Sequence, residues 1–320
     1  MAFYAIHGQT VDMRIARRRF LQVLGAALPA ASIPWLAACE ASPAPSAAHT
    51  PSRAAPAVMK RGERVPVLFV GHGSPINAIT DNAWSRGFRA LAHLLPQPRA
   101  IVVVSAHWYA TGTFLTGNAA PKTIHDFSGF PRELTEMQYP APGDPALAAR
   151  IVKLLGPERA SLRNDWGLDH GAWTVLHHLQ PDASCPVVQL SLDERLAPEQ
   201  HLALGKLLAP LRDEGVLVLG SGNVTHNLGY AMRSMRNGDA STPVWAASFD
   251  AEVEHACLQH DGAALARFLD SDAGRMSHPT PDHYLPLLYA AAATQTSDAV
   301  TFPIQGFDGG SLSMRAVLFG

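Results

Sequence analysis

Three histidines, His72, His107 and His226, stand shortly after short apolar runs of the kind that form buried strands. In an open α/β sheet, ligands bind outside the carboxyl ends of the strands, where residues far apart in the sequence converge. Neutral imidazoles in a cluster are the usual ligands of zinc and non-haem iron. The placement of these histidines therefore predicts a metal centre at one edge of a sheet.

Three further histidines are candidates because each stands beside an aspartate, whose carboxylate can orient an imidazole. These pairs are His125 with Asp126, His170 with Asp169, and His283 with Asp282. Seven other histidines occur in helical or proline-flanked polar patterns and are expected to have no role in the site: His93, His177, His178, His201, His255, His260 and His278.

The surrounding sequence alternates apolar, β-branched runs with helical patterns, which favours a single α/β domain whose mostly parallel central sheet is sandwiched between helices. The predicted strands are Val65–Val70, Ala100–Ser105, Pro186–Leu192, Val216–Leu219, Ala299–Ile304 and Ser313–Phe319. The predicted helices are Trp84–Leu95, Pro145–Leu155, Trp173–Leu179, Pro198–Arg212, Trp245–Leu258 and Asp282–Ala293.

Composition excludes several classes of protein. The 320 residues are 47% hydrophobic with a formal net charge of -2, which excludes a disordered chain and argues against a nucleic-acid binder. There is no G-x-S-x-G nucleophile elbow, H-E-x-x-H zinc motif, phosphate-binding Walker loop or G-x-G-x-x-G fingerprint. Cys185 and Cys257 are isolated in the sequence, so they form no zinc-binding C-x-x-C pair and are expected to be buried.

The first 39 residues predict an export signal. Arg17, Arg18 and Arg19 precede an apolar stretch that ends in a lipobox-like sequence at Cys39, and Met13 is a plausible start. Residues 40–64 are rich in Ala, Pro and Ser and predict a flexible tether to a domain at 65–320. We expect a lipoprotein of the periplasm or cell envelope, exported by the twin-arginine route, with a cytoplasmic protein as the alternative.

Seven motifs, in order along residues 65–320, resemble the class III extradiol ring-cleavage dioxygenases, and most closely their 4,5-DOPA extradiol dioxygenase-like branch. They are GHGSP at 71–75, SAHW at 105–108, TIHDF at 123–127, YPAPG at 139–143, DHG at 169–171, SGNVTHN at 221–227 and PTPDHYLP at 279–286. Members of this branch are typically cytoplasmic, whereas this chain has a predicted export signal.

The resemblance implies one α/β domain with one divalent metal, Fe(II) or Zn(II), acting on a small aromatic diol and O2. It places His72, His107 and His283 at the metal. His226 matches the acid–base position and is close enough to count among the ligands. His170 and His125 match residues that line the substrate site, and His170 is the second candidate for proton transfer.

Two other functions stay open at this point. One is a zinc-dependent hydrolase that uses the same metal site. The other is a non-catalytic, lipid-anchored metal-binding protein of the envelope.

The predicted lipid anchor has a direct test. Changing Cys39 to Ala removes the thiol that would carry the lipid, so this variant should leave the membrane fraction. Membrane fractionation of the wild-type chain and of the variant, together with a mass measurement of each, tests this loss of membrane association. A wild-type chain that is already soluble, cytoplasmic and of full length would contradict the prediction.

Overall fold

The structure is a computed structural model that describes residues 64–320. The predicted signal, Cys39 and nearly all of the tether lie outside the described residues and remain predictions. Within the described range, no helix is both long and apolar enough to span a bilayer.

An eight-stranded sheet forms the centre of the domain, in the order β4-β3-β5-β2-β6-β1-β10-β7. Its four central strands, β5, β2, β6 and β1, are parallel, while β10 pairs antiparallel with β1 and β7, and β3 pairs antiparallel with β5. A separate hairpin joins β8 to β9. The strands are β1 Val67–Gly71, β2 Ala100–Ala110, β3 Thr113–Thr116, β4 Ala160–Arg163, β5 Val187–Asp193, β6 Val216–Gly222, β7 Val300–Ile304, β8 Phe307–Asp308, β9 Leu312–Ser313 and β10 Ala316–Phe319.

Helices cover both faces of the sheet, as the continuous apolar strands require. One core cluster joins the sheet to α3, α5, α7 and α10, and the other joins it to α1 and α4. The helices are α1 Ala83–Leu91, α2 Arg132–Thr135, α3 Pro145–Leu155, α4 His170–Leu179, α5 Pro198–Lys206, α6 Leu228–Asn237, α7 Val244–Leu258, α8 Gly262–Arg267, α9 Asp272–Ser277 and α10 Leu285–Ala292. Short 3-10 helices occupy Pro75–Ala78, Ala209–Arg212, Phe268–Asp270 and Pro281–His283.

The predicted architecture of a mostly parallel sheet between helices is confirmed. All six predicted strands exist, but β2 is longer than its apolar run because it continues to Ala110. Its register against β5 shifts between Val104 and Tyr109, so His107 lies at an irregularity inside the strand and not after its end. The predicted last strand, Ser313–Phe319, is divided into β9 and β10.

Helix α6 and strand β4 were not predicted, because their apolar residues do not follow the pattern of a buried face. Helix α6 presents Leu228, Met232 and Met235 to solvent, so its apolar residues do not mark a core face. Strand β4 is mostly exposed and pairs only at the sheet edge with β3. Cys185 and Cys257 are both free, and their predicted burial is confirmed.

Close backbone packing at the end of β6 places one histidine of interest. The amide of Asn223 donates to the carbonyl oxygen of His283 at 2.8 Å. A Cβ atom added at Gly222 would lie 2.1 Å from that same oxygen. Glycine is therefore required at position 222 for the 3-10 helix that ends at His283 to approach the strand.

Gly222→Ala should destabilise the domain by about 1–3 kcal/mol, since the added methyl forces a backbone carbonyl to move. The matched control is Gly229→Ala in α6, where an added Cβ would lie an ordinary 3.6 Å from Nη1 of the Arg233 side chain. Urea unfolding of both variants measures the difference. Equal midpoints for the two variants would refute the close-approach argument.

Candidate metal centre

Five histidines from five separate segments meet at the carboxyl edge of the central strands. The segments are adjacent in space because β2, β6 and β1 are neighbours in the sheet. His72 follows β1, His107 lies in β2, His170 is the first residue of α4, His226 follows β6, and His283 ends a 3-10 helix. The structure thus brings together every histidine predicted as a ligand or proton-transfer group.

The distances within this histidine cluster are short. Nε2 of His72 lies 3.1 Å from Nε2 of His107. The ring of His107 is centred 3.8 Å from that of His170 and 4.9 Å from that of His283. His226 stacks on His283 with ring centres 3.5 Å apart and planes within 1° of parallel. All five rings therefore border one small space.

Hydrogen bonding fixes the orientation of His72. The hydroxyl of Ser221 donates to the carbonyl oxygen of Gly171 at 2.5 Å, so its oxygen has lone pairs for the His72 Nδ1, 3.0 Å away. A hydroxyl has only one proton to donate. Nδ1 of His72 must then be the N–H donor, which leaves a lone pair on Nε2 facing the other rings. Ser221 was not predicted, because a serine at a strand end has no distinguishing sequence pattern.

Two carboxylates orient other members of the cluster from behind. Asp282 Oδ2 accepts from Nδ1 of His283 at 2.5 Å. The two oxygens of Asp126 lie 2.9 Å from Nδ1 of His170 and 3.3 Å from Nδ1 of His107. As with His72, these contacts direct the Nε2 side of each ring toward the shared space.

Burial keeps three of the five imidazoles neutral, those of His72, His107 and His226. Burial first, and then the neighbouring histidines, hold the pKa values of His72 and His107 well below the ordinary value for histidine. Burial and then His283 lower the pKa of His226 in the same way. Neutral imidazole is the form that binds a metal. His72, His107 and His226 therefore present lone pairs, not positive charges, at neutral pH.

The carboxylates behind the rings respond in opposite directions. Burial raises the pKa of Asp282, but His283 outweighs it and holds that pKa well below its usual range. Burial also works against ionisation of Asp126, and the hydrogen bond from His170 overcomes it to lower the pKa. Burial and then the charge of Asp126 raise the pKa of Asp169 to about 6. Asp169 caps α4 and accepts from Ser105 Oγ at 2.7 Å.

The arrangement fits a divalent cation. Two acceptor nitrogens 3.1 Å apart, as on His72 and His107, repel each other unless a cation or proton lies between them. Tetrahedral zinc with Zn–N distances near 2.0–2.1 Å places its nitrogen ligands about 3.3 Å apart. One nitrogen from each of His72, His107 and His170 lies within 4.8 Å of the other two. The predicted ligands besides His72 and His107 were His283 and His226, not His170, and all three of these rings border the space.

An aromatic wall stands beside the histidine cluster. Phe127 contacts the rings of His170 and Trp173, with centres 5.4 and 5.9 Å apart, and Phe130 lies 5.2 Å from Phe127. His125 belongs to this wall, because its Nε2 donates to the carbonyl of Met137 at 2.9 Å and its ring lies 5.7 Å from Trp173. Such a wall can hold a flat aromatic ring next to the cluster.

Several other aromatic and histidine side chains of the domain stack on or bond to groups outside the histidine cluster. Trp108 stacks on Trp166, and the hydroxyl of the buried Tyr284 donates to the carbonyl oxygen of Leu265. Four of the seven histidines expected to be outside the site bond to groups away from the cluster: His178 to Asn77, His201 to Tyr289, His260 to Asp298 and His278 to Val224.

Residues 67–309 match the family described as the catalytic LigB subunit of aromatic ring-opening dioxygenase. The chain belongs to this family. The predicted class of enzyme, an extradiol ring-cleavage dioxygenase, is thereby confirmed, and so is its resemblance to the class III branch.

Relatives in this family cover most of the domain. The chain is 46% identical over 269 residues to the protein named 4,5-DOPA dioxygenase extradiol of Escherichia coli (strain K12), which covers 82% of this chain and 97% of that protein. It is 36% identical over 259 residues to the protein of the same name from Beta vulgaris, covering 79% of this chain and 95% of that protein. Both alignments span nearly the whole of the relative.

A solved structure supports the fold of this LigB-family chain. The crystal structure of an uncharacterized protein from Escherichia coli K12 superposes with a TM-score of 0.70 at 43% sequence identity. The match covers 80% of this chain and 100% of that one. The α/β architecture is therefore shared with an experimentally determined member of the same fold.

The lowered pKa values of His72, His107 and His226 predict an acid-sensitive fold. Each group binds more protons when unfolded, at an ordinary pKa of about 6.5, than when folded. Stability of the metal-free protein is therefore full above about pH 6.5 and is lost as pH falls below it, by up to about 1.4 kcal/mol per pH unit for each histidine.

Urea unfolding of metal-free protein between about pH 5 and pH 7.5 measures this slope around the ordinary histidine pKa. The variant His226→Gln has one fewer titrating group, so its stability should depend less steeply on pH. Stability that does not change over this range in the wild-type chain would contradict the neutral state of the cluster.

Proposed function

We propose that this chain is a metal-dependent extradiol dioxygenase that opens the ring of a catechol-type, DOPA-like substrate with O2. The observation that carries the proposal is the buried cluster of converging histidines beside an aromatic wall, in a chain of the LigB family. The names of the relatives from Escherichia coli and Beta vulgaris support a DOPA-like catechol as the substrate class.

In this proposal His72, His107 and His283 hold the divalent ion, Fe(II) or Zn(II), and His226 is close enough to serve as a further ligand. When bound, such an ion would supply Lewis-acid chemistry for activating the diol and O2. Ser221 and Asp282 keep Nδ1 of His72 and His283 protonated, so that the Nε2 atoms are free to bind it. Without a cation between them, the lone pairs on Nε2 of His72 and Nε2 of His107, 3.1 Å apart, would repel each other, which supports this assignment.

Proton transfer is the other task of the cluster. We assign the acid–base role to His226, with His170 as the alternative. A neutral imidazole at this position can take a hydroxyl proton from the diol and return it later. His226 stacks on His283, and His170 lies beside His107 under the aromatic wall, so both are close enough to a bound diol.

The aromatic wall has the task of holding the substrate ring. His125 is fixed by its bond to Met137 and does not point Nε2 into the cluster, which suits a residue that lines the substrate site and does not bind metal. Phe127 and Phe130, both partly exposed, form the apolar part of this surface, and the fully buried Trp173 packs behind Phe127. A partly buried wall also excludes water from the ring, which protects the reaction from side reactions.

The proposed function is tested by elemental analysis of protein purified without added metal, followed by O2 uptake with a panel of catechols that includes DOPA. We expect one divalent ion per chain and consumption of O2 with formation of a yellow ring-opened product after reconstitution with Fe(II). The control is His72→Ala, which should remain folded but lose metal and activity together. Bound metal without O2 uptake on any catechol would favour the hydrolase or the non-catalytic alternative.

His226→Ala separates ligand from proton carrier. Loss of an acid–base group lowers turnover by about 10²–10⁴-fold while the metal remains bound. The matched variant is His170→Ala. Metal content and turnover are measured on the same samples. If His226→Ala loses metal in step with activity, His226 is a ligand, and if turnover is unchanged, the acid–base role passes to His170.

A further inference from the structure

We propose that Asp126 is a positioning residue that fixes the tautomers of two different rings, His107 and His170, so that each presents an Nε2 lone pair to the shared space. The inference rests on the proposed function for the meaning of those rings, one as a metal ligand and one as a neighbour that handles protons or substrate. The tautomers themselves are a property of the protein alone.

The geometry places one carboxylate between two imidazoles. Oδ1 lies 2.9 Å from Nδ1 of His170, and Oδ2 lies 3.3 Å from Nδ1 of His107. Oδ1 also accepts the backbone N–H of His170 at 3.1 Å, which ties the start of α4 to the same carboxylate. Less than a fifth of the Asp126 side chain is exposed, so water does not replace these contacts.

Both rings depend on Asp126 for a partner at Nδ1. Nδ1 of His170 is buried, and no atom among residues 64–320 meets it in good hydrogen-bond geometry; Oδ1 of Asp126, at 2.9 Å, lies off the N–H direction. Within the same range, Asp126 is the carboxylate at ion-pair distance from both rings. A lone pair on either Nδ1 would face the negative carboxylate, so the electrostatic interaction favours N–H at both Nδ1 atoms and leaves both Nε2 atoms free.

The other orienting residues of the cluster differ from Asp126 in one respect. Asp282 faces a single ring, that of His283, and Ser221 faces only that of His72. Toward the rings, each of them therefore needs just one acceptor atom; Asp282 also accepts from the hydroxyl of Thr280, which can equally accept from an amide N–H2 group. Asp126 needs two acceptor atoms, because it faces two N–H groups, and no neutral side chain of the same shape can supply both.

This difference defines a discriminating pair of variants. An asparagine has one acceptor oxygen and one N–H2 donor group. In Asp282→Asn the oxygen can still accept from His283, and the tautomer of that ring is retained. In Asp126→Asn one ring meets the N–H2 group, which requires a lone pair on its Nδ1. A metal bound at Nε2 of His107 keeps Nδ1 of that ring protonated, so His170 must change tautomer and protonate its Nε2.

The experiment uses the full chain with 15N-labelled histidine and zinc as the metal probe. Long-range 15N–1H spectra distinguish an Nδ1–H from an Nε2–H ring, and His170→Ala and His107→Ala assign the signals. We expect Nδ1–H at His170 in the wild-type chain and in Asp282→Asn, and Nε2–H in Asp126→Asn. Zinc affinity should also fall by about 10–100-fold in Asp126→Asn, as for other residues that orient a ligating histidine. Asp126→Glu, which keeps two acceptor oxygens, should restore the wild-type tautomer.

Two results would overturn the inference. One is an Nε2–H tautomer of His170 in the wild-type chain. The other is an Asp126→Asn variant whose His170 tautomer matches that of Asp282→Asn, since a residue with a purely structural role would leave the tautomer unchanged. Neither readout involves a catechol or O2, so failure of the proposed ring cleavage would leave this result separately interpretable.

Discussion

The constraint on which the rest of this domain depends is the convergence of buried imidazole lone pairs on one point. Such lone pairs repel each other, and burial prevents the rings from relieving that repulsion by taking up protons. The arrangement is stabilised where the outer nitrogen of a ring is held by a fixed partner, as it is for His72, His107, His170 and His283. Ser221, Asp282 and Asp126 supply those partners, and each is itself anchored to a strand end, a 3-10 helix or a helix start.

The same constraint explains the tight backbone packing around the site. An imidazole is short, so the main chains that carry the rings must come close together. A Cβ at Gly171 would lie 2.9 Å from His107 Cδ2, and one at Gly71 would lie 2.6 Å from the carbonyl oxygen of Ser313. Together with Gly222 against His283, these positions let loops from separate strands meet where any larger residue would hold them apart.

Much of this arrangement could be predicted from the sequence, because parallel strands give a strong signal. Continuous β-branched runs located the central strands, and the ends of those runs indicated His72, His107 and His226, although His107 lies within the longer β2. No sequence pattern indicated that His107 and His170 lie side by side, because this contact depends on a register shift in β2 and on the loop that carries Asp126. Contacts between distant loops are set by packing, and a single sequence does not record them.

Charge placement connects the architecture to the chemistry. An imidazole that binds a metal through a lone pair brings no negative charge, so a divalent ion held by these rings would keep its positive charge for an anionic diol. The carboxylates of Asp126, Asp169 and Asp282 lie behind or beside the rings, and the cluster separates them from the shared space. From there Asp126 and Asp282 would stabilise a bound ion through the imidazoles they contact, without neutralising it directly. Carboxylate ligands in the same positions would compete with the diol for that charge, which gives a physical reason for a site built from histidines.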